Sequence, residues 1–207
     1  MGSKKLWDRL VPPKYDFYGR LSEQARVTSQ GISAMVAWLS DPQMQHFERF
    51  MHSSREADLV RMKLEEELVE AFTTPFDRQD IYTFSVRMDR ILELSKGTIQ
   101  SMQAFEVKPD LIICELAWNL SRGTYELSRG TGLLSSNPRE AEACVEEMRL
   151  ASLAVESRYR DAMSQLFKAG DPIDAMKKRE VYRGFKDAAE YMDLVVDVFH
   201  RIIFRLH

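Results

Sequence analysis

Thr74-Pro75-Phe76-Asp77 recurs as Asp171-Pro172-Ile173-Asp174, and each quartet stands 18 residues, proline to glutamate, before an acidic position, Glu93 or Glu190. Upstream, the stretch around Ser54 and Asp58 is echoed around Ser152 and Glu156, at an offset of 98 rather than 97. A period of nearly a hundred residues is too long for a solenoid repeat and predicts a duplicated unit of about three helices.

The rest of the chain agrees with an all-α reading. Six long helices fit between the Gly and Pro positions: Tyr15 to Leu39; Pro42 to Phe72, with Asp41 or Ser40 as its cap; Thr74, as cap, to Phe105; one opened by Pro109 that frays through Gly123, Gly130 and Gly132; one opened by a capping box of Asn137, Pro138 and Glu140 and stopped at Gly170; and one started by Asp171, Pro172 and Asp174. In the third, Ile81, Phe84, Met88, Ile91, Leu92, Ile99 and Met102 share one face. In the sixth, Val181, Phe185, Met192, Val196, Phe199, Ile203 and Leu206 do. No stretch alternates with β-branched enrichment, and no Asn-Gly or Asp-Gly hairpin turn occurs. Two three-helix bundles side by side are the economical architecture. The halves are 1–107 and 108–207, treated together as one domain, 1–207.

With 207 residues, 44% of them hydrophobic, the chain can bury a substantial core. Cys114 and Cys144 show no CxxC spacing and no secretory signal precedes them, so a reduced, cytoplasmic setting is expected. The 29 Lys and Arg are scattered among 32 acids with a net charge of −3, which argues against nucleic acid as a partner. Uncharged apolar runs such as Leu111 to Cys114 are far too short to span a bilayer.

Met51, Ser54, Asp58, Met62, Glu65, Val69 and Phe72 advance by three or four residues, placing Asp58 and Glu65 on the expected core face of the second helix. Asp89 and Glu93 lie beside the apolar stripe of the third. A carboxylate in such a seam needs a cation, a donor or a proton. Facing helices that supply carboxylates can hold iron or another oxygen-preferring metal. Alternatively, Arg55, Arg61, Arg87 and Arg90 pair with these acids, each exposed pair contributing about 0.2 to 1 kcal/mol. His46, His52, His200 and His207 do not form paired ExxH motifs, and there is no phosphate-binding Gly-rich loop and no GxSxG.

Arg55 to Asp58, the run Ala71-Phe72-Thr73-Thr74-Pro75-Phe76-Asp77-Arg78-Gln79-Asp80-Ile81, and Met88 to Glu93 resemble the PhoU-like accessory proteins of Pit-type phosphate transporters, formerly a domain of unknown function, which read F-I-T-P-x-D-R-E-D-I here. Lys4 to Tyr18 resembles that family's N-terminal segment, and Leu166, Phe167, Asp171 and Pro172 its second-half turn, so the likeness spans nearly the whole chain. It implies two three-helix bundles and a non-catalytic regulator of inorganic phosphate uptake, cytoplasmic or at the inner face of the membrane, acting with a Pit-type permease. A homodimer and peripheral membrane association also belong to this expectation. The N-terminal segment with Leu6, Trp7, Leu10 and Val11, flanked by Lys4, Lys5 and Arg9, reads as a short amphipathic patch that either folds back onto the bundle or touches the permease or lipid headgroups.

Related PhoU proteins bind metal clusters through E/DxxxD motifs, which map here to Ser54/Asp58, Asp89/Glu93, Ser152/Glu156 and Lys186/Glu190. Only Asp89/Glu93 keeps both acids. The expectation is at most one weak divalent or iron site, at Asp58, Asp89 and Glu93, with Glu156 and Glu190 a degenerate, empty second site where Lys186 brings its own cation. The rival reading is a metal-dependent helical phosphatase or oxidase using Asp58, Asp89 and Glu93.

Overall fold

The structure, a computed structural model, describes residues 15–166, 168 and 171–206. The expected segment from Lys4 through Leu6, Trp7, Leu10 and Val11, Phe167 of the second-half turn, and the stop at Gly170 lie outside the described residues. The helices are α1 Phe17–Ser40, α2 Met44–Glu70, α3 Arg78–Phe105, α4 Leu111–Leu133, α5 Pro138–Leu166 and α6 Pro172–Leu206, with no strand among the described residues.

Local chemistry sets most of these boundaries. The Asp16 carboxylate accepts the Gly19 N–H at 2.9 Å and starts α1. The predicted opening of α2 at Pro42 is displaced to Met44, because Asp41 and Ser40 both finish α1: the Asp41 N–H donates to the Ala37 carbonyl at 2.9 Å, and the Ser40 hydroxyl to the Val36 carbonyl at 3.0 Å. At its far end α2 stops at Glu70. There the Arg78 guanidinium donates to the Leu68 carbonyl and, at 2.5 Å, to the Ala71 carbonyl, covering acceptors the helix leaves open.

Thr74 is not the cap of α3. Its hydroxyl donates to the Phe76 carbonyl at 2.7 Å, while Phe76 turns its ring to Tyr18 of α1 at 5.5 Å. The helix therefore starts behind Asp77, whose carboxylate accepts the Gln79 N–H at 2.8 Å. In the second half Asp171 accepts the Ile173 N–H at 2.9 Å, Pro172 is the first helical residue and Asp174 lies in the first turn, as expected. The two proline turns thus repeat in sequence but cap their helices at positions three residues apart.

Asp110 caps α4 through the Ile113 N–H at 2.8 Å. Contrary to the predicted fraying, α4 runs unbroken through Gly123, Gly130 and Gly132. Two of them serve close packing: a Cβ on Gly130 would stand 2.9 Å from Phe199 and 3.0 Å from Cys144, and one on Gly123 3.2 Å from Ala151. Asn137 opens α5 as predicted, accepting the Glu140 N–H at 3.3 Å and returning its amide N–H to the Glu140 carboxylate at 3.0 Å.

α1, α2 and α3 pack together, α4, α5 and α6 pack together, and the two bundles meet through α1 on α4 and α3 on α6. α2 and α5 are the outer helices. Thr98 lies against Gly184, Arg87 donates to the Leu194 carbonyl at 2.7 Å, and Phe84 stacks on Phe199 at 5.7 Å, so α3 and α6 run antiparallel. The stripes predicted for α3 and α6 are buried, apart from the half-buried Leu206, within one apolar cluster that continues through both bundles.

The stripe predicted for α2 is not the core face. Phe50, Ser53, Ala57, Val60, Leu64 and Leu68 are buried instead, and Met62, Val69 and Phe72 face solvent. Asp58 is consequently a surface residue, its side chain 51% exposed.

Two sets of buried polar contacts tie helices to one another. Gln24 donates to the Ser85 carbonyl at 2.9 Å and accepts the Ser85 hydroxyl at 2.6 Å, locking α1 to α3. Asp80, 4% exposed, receives Arg201 at 2.8 Å and Arg205 at 2.6 Å, tying the start of α3 to the end of α6. Among the described residues no helix is long and apolar enough to cross a membrane, and both cysteines are free thiols.

The narrowest point of the α3–α6 contact generates a prediction. A Cβ at Gly184 would lie 2.1 Å from the Thr98 hydroxyl oxygen. Gly184→Ala is expected to cost about 1–3 kcal/mol in urea unfolding through overpacking, and Thr98→Ala in the same chain should recover much of the loss. Additive costs for the two changes would contradict a direct steric contact.

Candidate functional site

On the outer side of the first bundle, α2 and α3 frame an open cleft of about 410 Å³. Ser54, Arg55 and Asp58 enter it from α2, and Asp89, Arg90, Glu93, Lys96 and Gln100 from α3. Asp89 follows the core residue Met88, so its side chain is only 12% exposed, whereas Glu93, one turn on, reaches the rim. The tertiary structure therefore brings the three predicted carboxylates, Asp58, Asp89 and Glu93, to one place.

It also brings their cations. Arg61, one turn beyond Asp58 on α2, donates from Nη2 to Asp58 at 2.6 Å and from Nη1 to Glu65 at 2.7 Å. Its Nε lies 3.2 Å from an Asp89 oxygen, a charge contact rather than a hydrogen bond. Arg90 pairs with Glu93 at 2.7 Å and lies over the Tyr191 ring of α6 at 5.9 Å. Arg55 lines the cleft, and Arg87, also expected to pair with the acids, is instead committed to the Leu194 carbonyl.

Burial dominates at Asp89 and pushes its carboxyl up to about 6. The Arg61 charge opposes that rise, and the neighbouring Glu93 and Asp58 charges reinforce it. Burial likewise works against the Arg61 charge, but hydrogen bonds to Asp58 and Glu65 with the charges of Asp89 and Glu65 outweigh it, holding the guanidinium above its ordinary value.

The second half repeats this pairing with other residues. Lys186 bonds Glu190 one turn away, and Arg160 bonds Glu156 at 2.8 Å. Where the first half has Lys96, the second has Asp193, a carboxyl raised by burial and opposed by the Ser152 hydroxyl and the Arg149 charge. Among the described residues no three His, Cys, Asp or Glu side chains converge to hold a metal ion. The bridging role of Arg61 was visible locally as its spacing of three from Asp58 and four from Glu65. Its reach to Asp89, and the pairing of Asp80 with Arg201 and Arg205, carry no local signal.

The position of Asp89 predicts a pH dependence. Its folded-state value lies above the ordinary 3.8, so the folded chain holds this proton more tightly than the unfolded one. The stability it contributes is complete below about pH 4 and is lost as pH rises through about 6. Asp89→Asn mimics the protonated group. Wild type should lose up to about 3 kcal/mol relative to it between pH 4 and 7, read as the difference between paired urea titrations; a difference independent of pH would contradict this.

No family model matches the chain. It is 21% identical over 211 residues to a protein of Rhizobium meliloti (strain 1021) named "Putative pit accessory protein", covering 96% of this chain and 97% of that one. Among solved structures, a PhoU-like protein from Shewanella oneidensis MR-1 superposes with a TM-score of 0.75 at 14% identity. A "putative PhoU-like phosphate regulatory protein" from the same organism superposes with a TM-score of 0.74 at 13% identity. Each covers 92% of this chain over its own full length. Six helices in two bundles, matched along nearly their whole course by these structures, give the chain the fold of PhoU-like proteins.

Proposed function

We propose that the protein is a non-catalytic accessory regulator of inorganic phosphate uptake, acting from the cytoplasm on a Pit-type permease. The observation that carries this reading is the likeness, over almost the full length of both chains, to a protein named for accessory action with Pit. The fold supports it: a helical scaffold whose acidic cleft holds carboxylates already paired with arginines offers little to a substrate that must be bound and turned over. On this reading residues 1–207 act as one unit, with halves 1–107 and 108–207, at the inner face of the membrane and as a monomer or a homodimer.

The test is reconstitution with a Pit-type permease. Co-expressed permease should co-purify with the tagged protein, and labelled phosphate uptake into vesicles should change when the protein is supplied on the cytoplasmic side. Uptake indifferent to the protein, with no co-purification, would refute the proposal. Phosphoester turnover or oxygen consumption abolished by Glu93→Ala would establish the enzymatic alternative instead.

A further inference from the structure

We infer that the Arg61 guanidinium is the resident cation of the first-half acidic cleft, standing where the family resemblance places a metal ion, so that this cleft works without bound metal. The inference concerns the chemistry of the cleft and holds whatever the partner protein is.

Three carboxylates from two helices surround one side chain. Asp58 and Glu65 of α2 are hydrogen-bonded by the two terminal nitrogens at 2.6 and 2.7 Å, and Asp89 of α3 faces Nε at 3.2 Å. The donors of a guanidinium are spread around a planar fork, so these oxygens ring an extended group rather than a point. A hard cation instead needs oxygens converging to about 2.0–2.6 Å from one centre. The acids as placed do not make that arrangement. Seating a divalent ion among them would set it beside a fixed positive charge and would require that charge to leave.

The fourth acid, Glu93, is held separately by Arg90. The second half reaches the same end by another route, with Lys186 on Glu190 and Arg160 on Glu156. Every acid kept from the duplicated motif is therefore paired with a basic side chain of this chain itself. Neutralisation by protein cations is the shared property of the two halves, although the residues that provide it differ.

The exchange of arginine for metal is testable on the full-length protein. Wild type purified without chelator should carry no stoichiometric metal and show no saturable Mn²⁺ uptake by calorimetry up to about 1 mM, the weak end of oxygen-ligand sites. Arg61→Met should acquire saturable Mn²⁺ binding and a Mn²⁺-dependent rise in Tm, both abolished by adding Asp89→Asn. One equivalent of metal on wild type that falls in Asp89→Asn would overturn the inference, as would a folded Arg61→Met that takes up no more Mn²⁺ than wild type. If Arg61→Met folds only with Mn²⁺, the exchange is supported. If it folds under neither condition, the wild type and Arg61→Lys decide: absence of uptake in both supports the inference, and one equivalent on either overturns it.

Discussion

The antiparallel contact of α3 with α6 is the constraint on which the rest of the molecule depends. It is anchored at one end by Asp80 between Arg201 and Arg205, in its middle by the parallel rings of Phe84 and Phe199, and at the other end by the close approach of Thr98 to Gly184. With these helices held face to face, each half can place only its remaining helices around them. α1 meets α4 across the junction, and α2 and α5 are left outside. The acidic cleft follows from this arrangement. The core face of α3 is used up against α6 and α1, so Asp89 and Glu93 turn toward α2 and solvent.

Electrostatics in the cleft is a contest between burial and pairing. An exposed ion pair contributes only about 0.2–1 kcal/mol, and the rim pair of Arg90 with Glu93 belongs to that class. Asp89 differs because its neighbours Met88 and Leu92 are core residues and remove water from it. Burial there exceeds what Arg61 returns, so the carboxyl titrates near 6, while the same guanidinium is stabilised by having three acids to serve. A single arginine is thus shared, and its weakest contact is to the most buried partner.

What could be read in advance depended on how local its cause was. Asn137 with Glu140, and Asp171 with Pro172, were legible because a cap is settled within four residues. The stripes of α3 and α6 were legible because one helical period is kept over most of each helix's length. In α2 two sets of positions compete, one through Phe50, Ala57 and Leu64, the other through Met51, Asp58 and Val69. They differ by one residue, a rotation of about 100°, and periodicity cannot choose between them. Thr74 failed as a cap for a related reason: Phe76 is drawn to Tyr18, a partner 58 positions earlier in the sequence.

By itself the sequence determined that the chain is all-helical, that it is duplicated at a period near a hundred residues, where most helices begin, and which carboxylates belong to the duplicated motif. Those properties rest on hydrogen bonds and apolar spacings a few residues apart. Only the tertiary structure decided which face of α2 is buried, that Gly123 and Gly130 of α4 pack rather than break a helix, and that Arg61 reaches Asp89. Each of these depends on which helix lies alongside, because burial energy and the pairing of a buried charge are properties of neighbours in space, and a one-residue rotation that leaves the local pattern intact exchanges one set of neighbours for another.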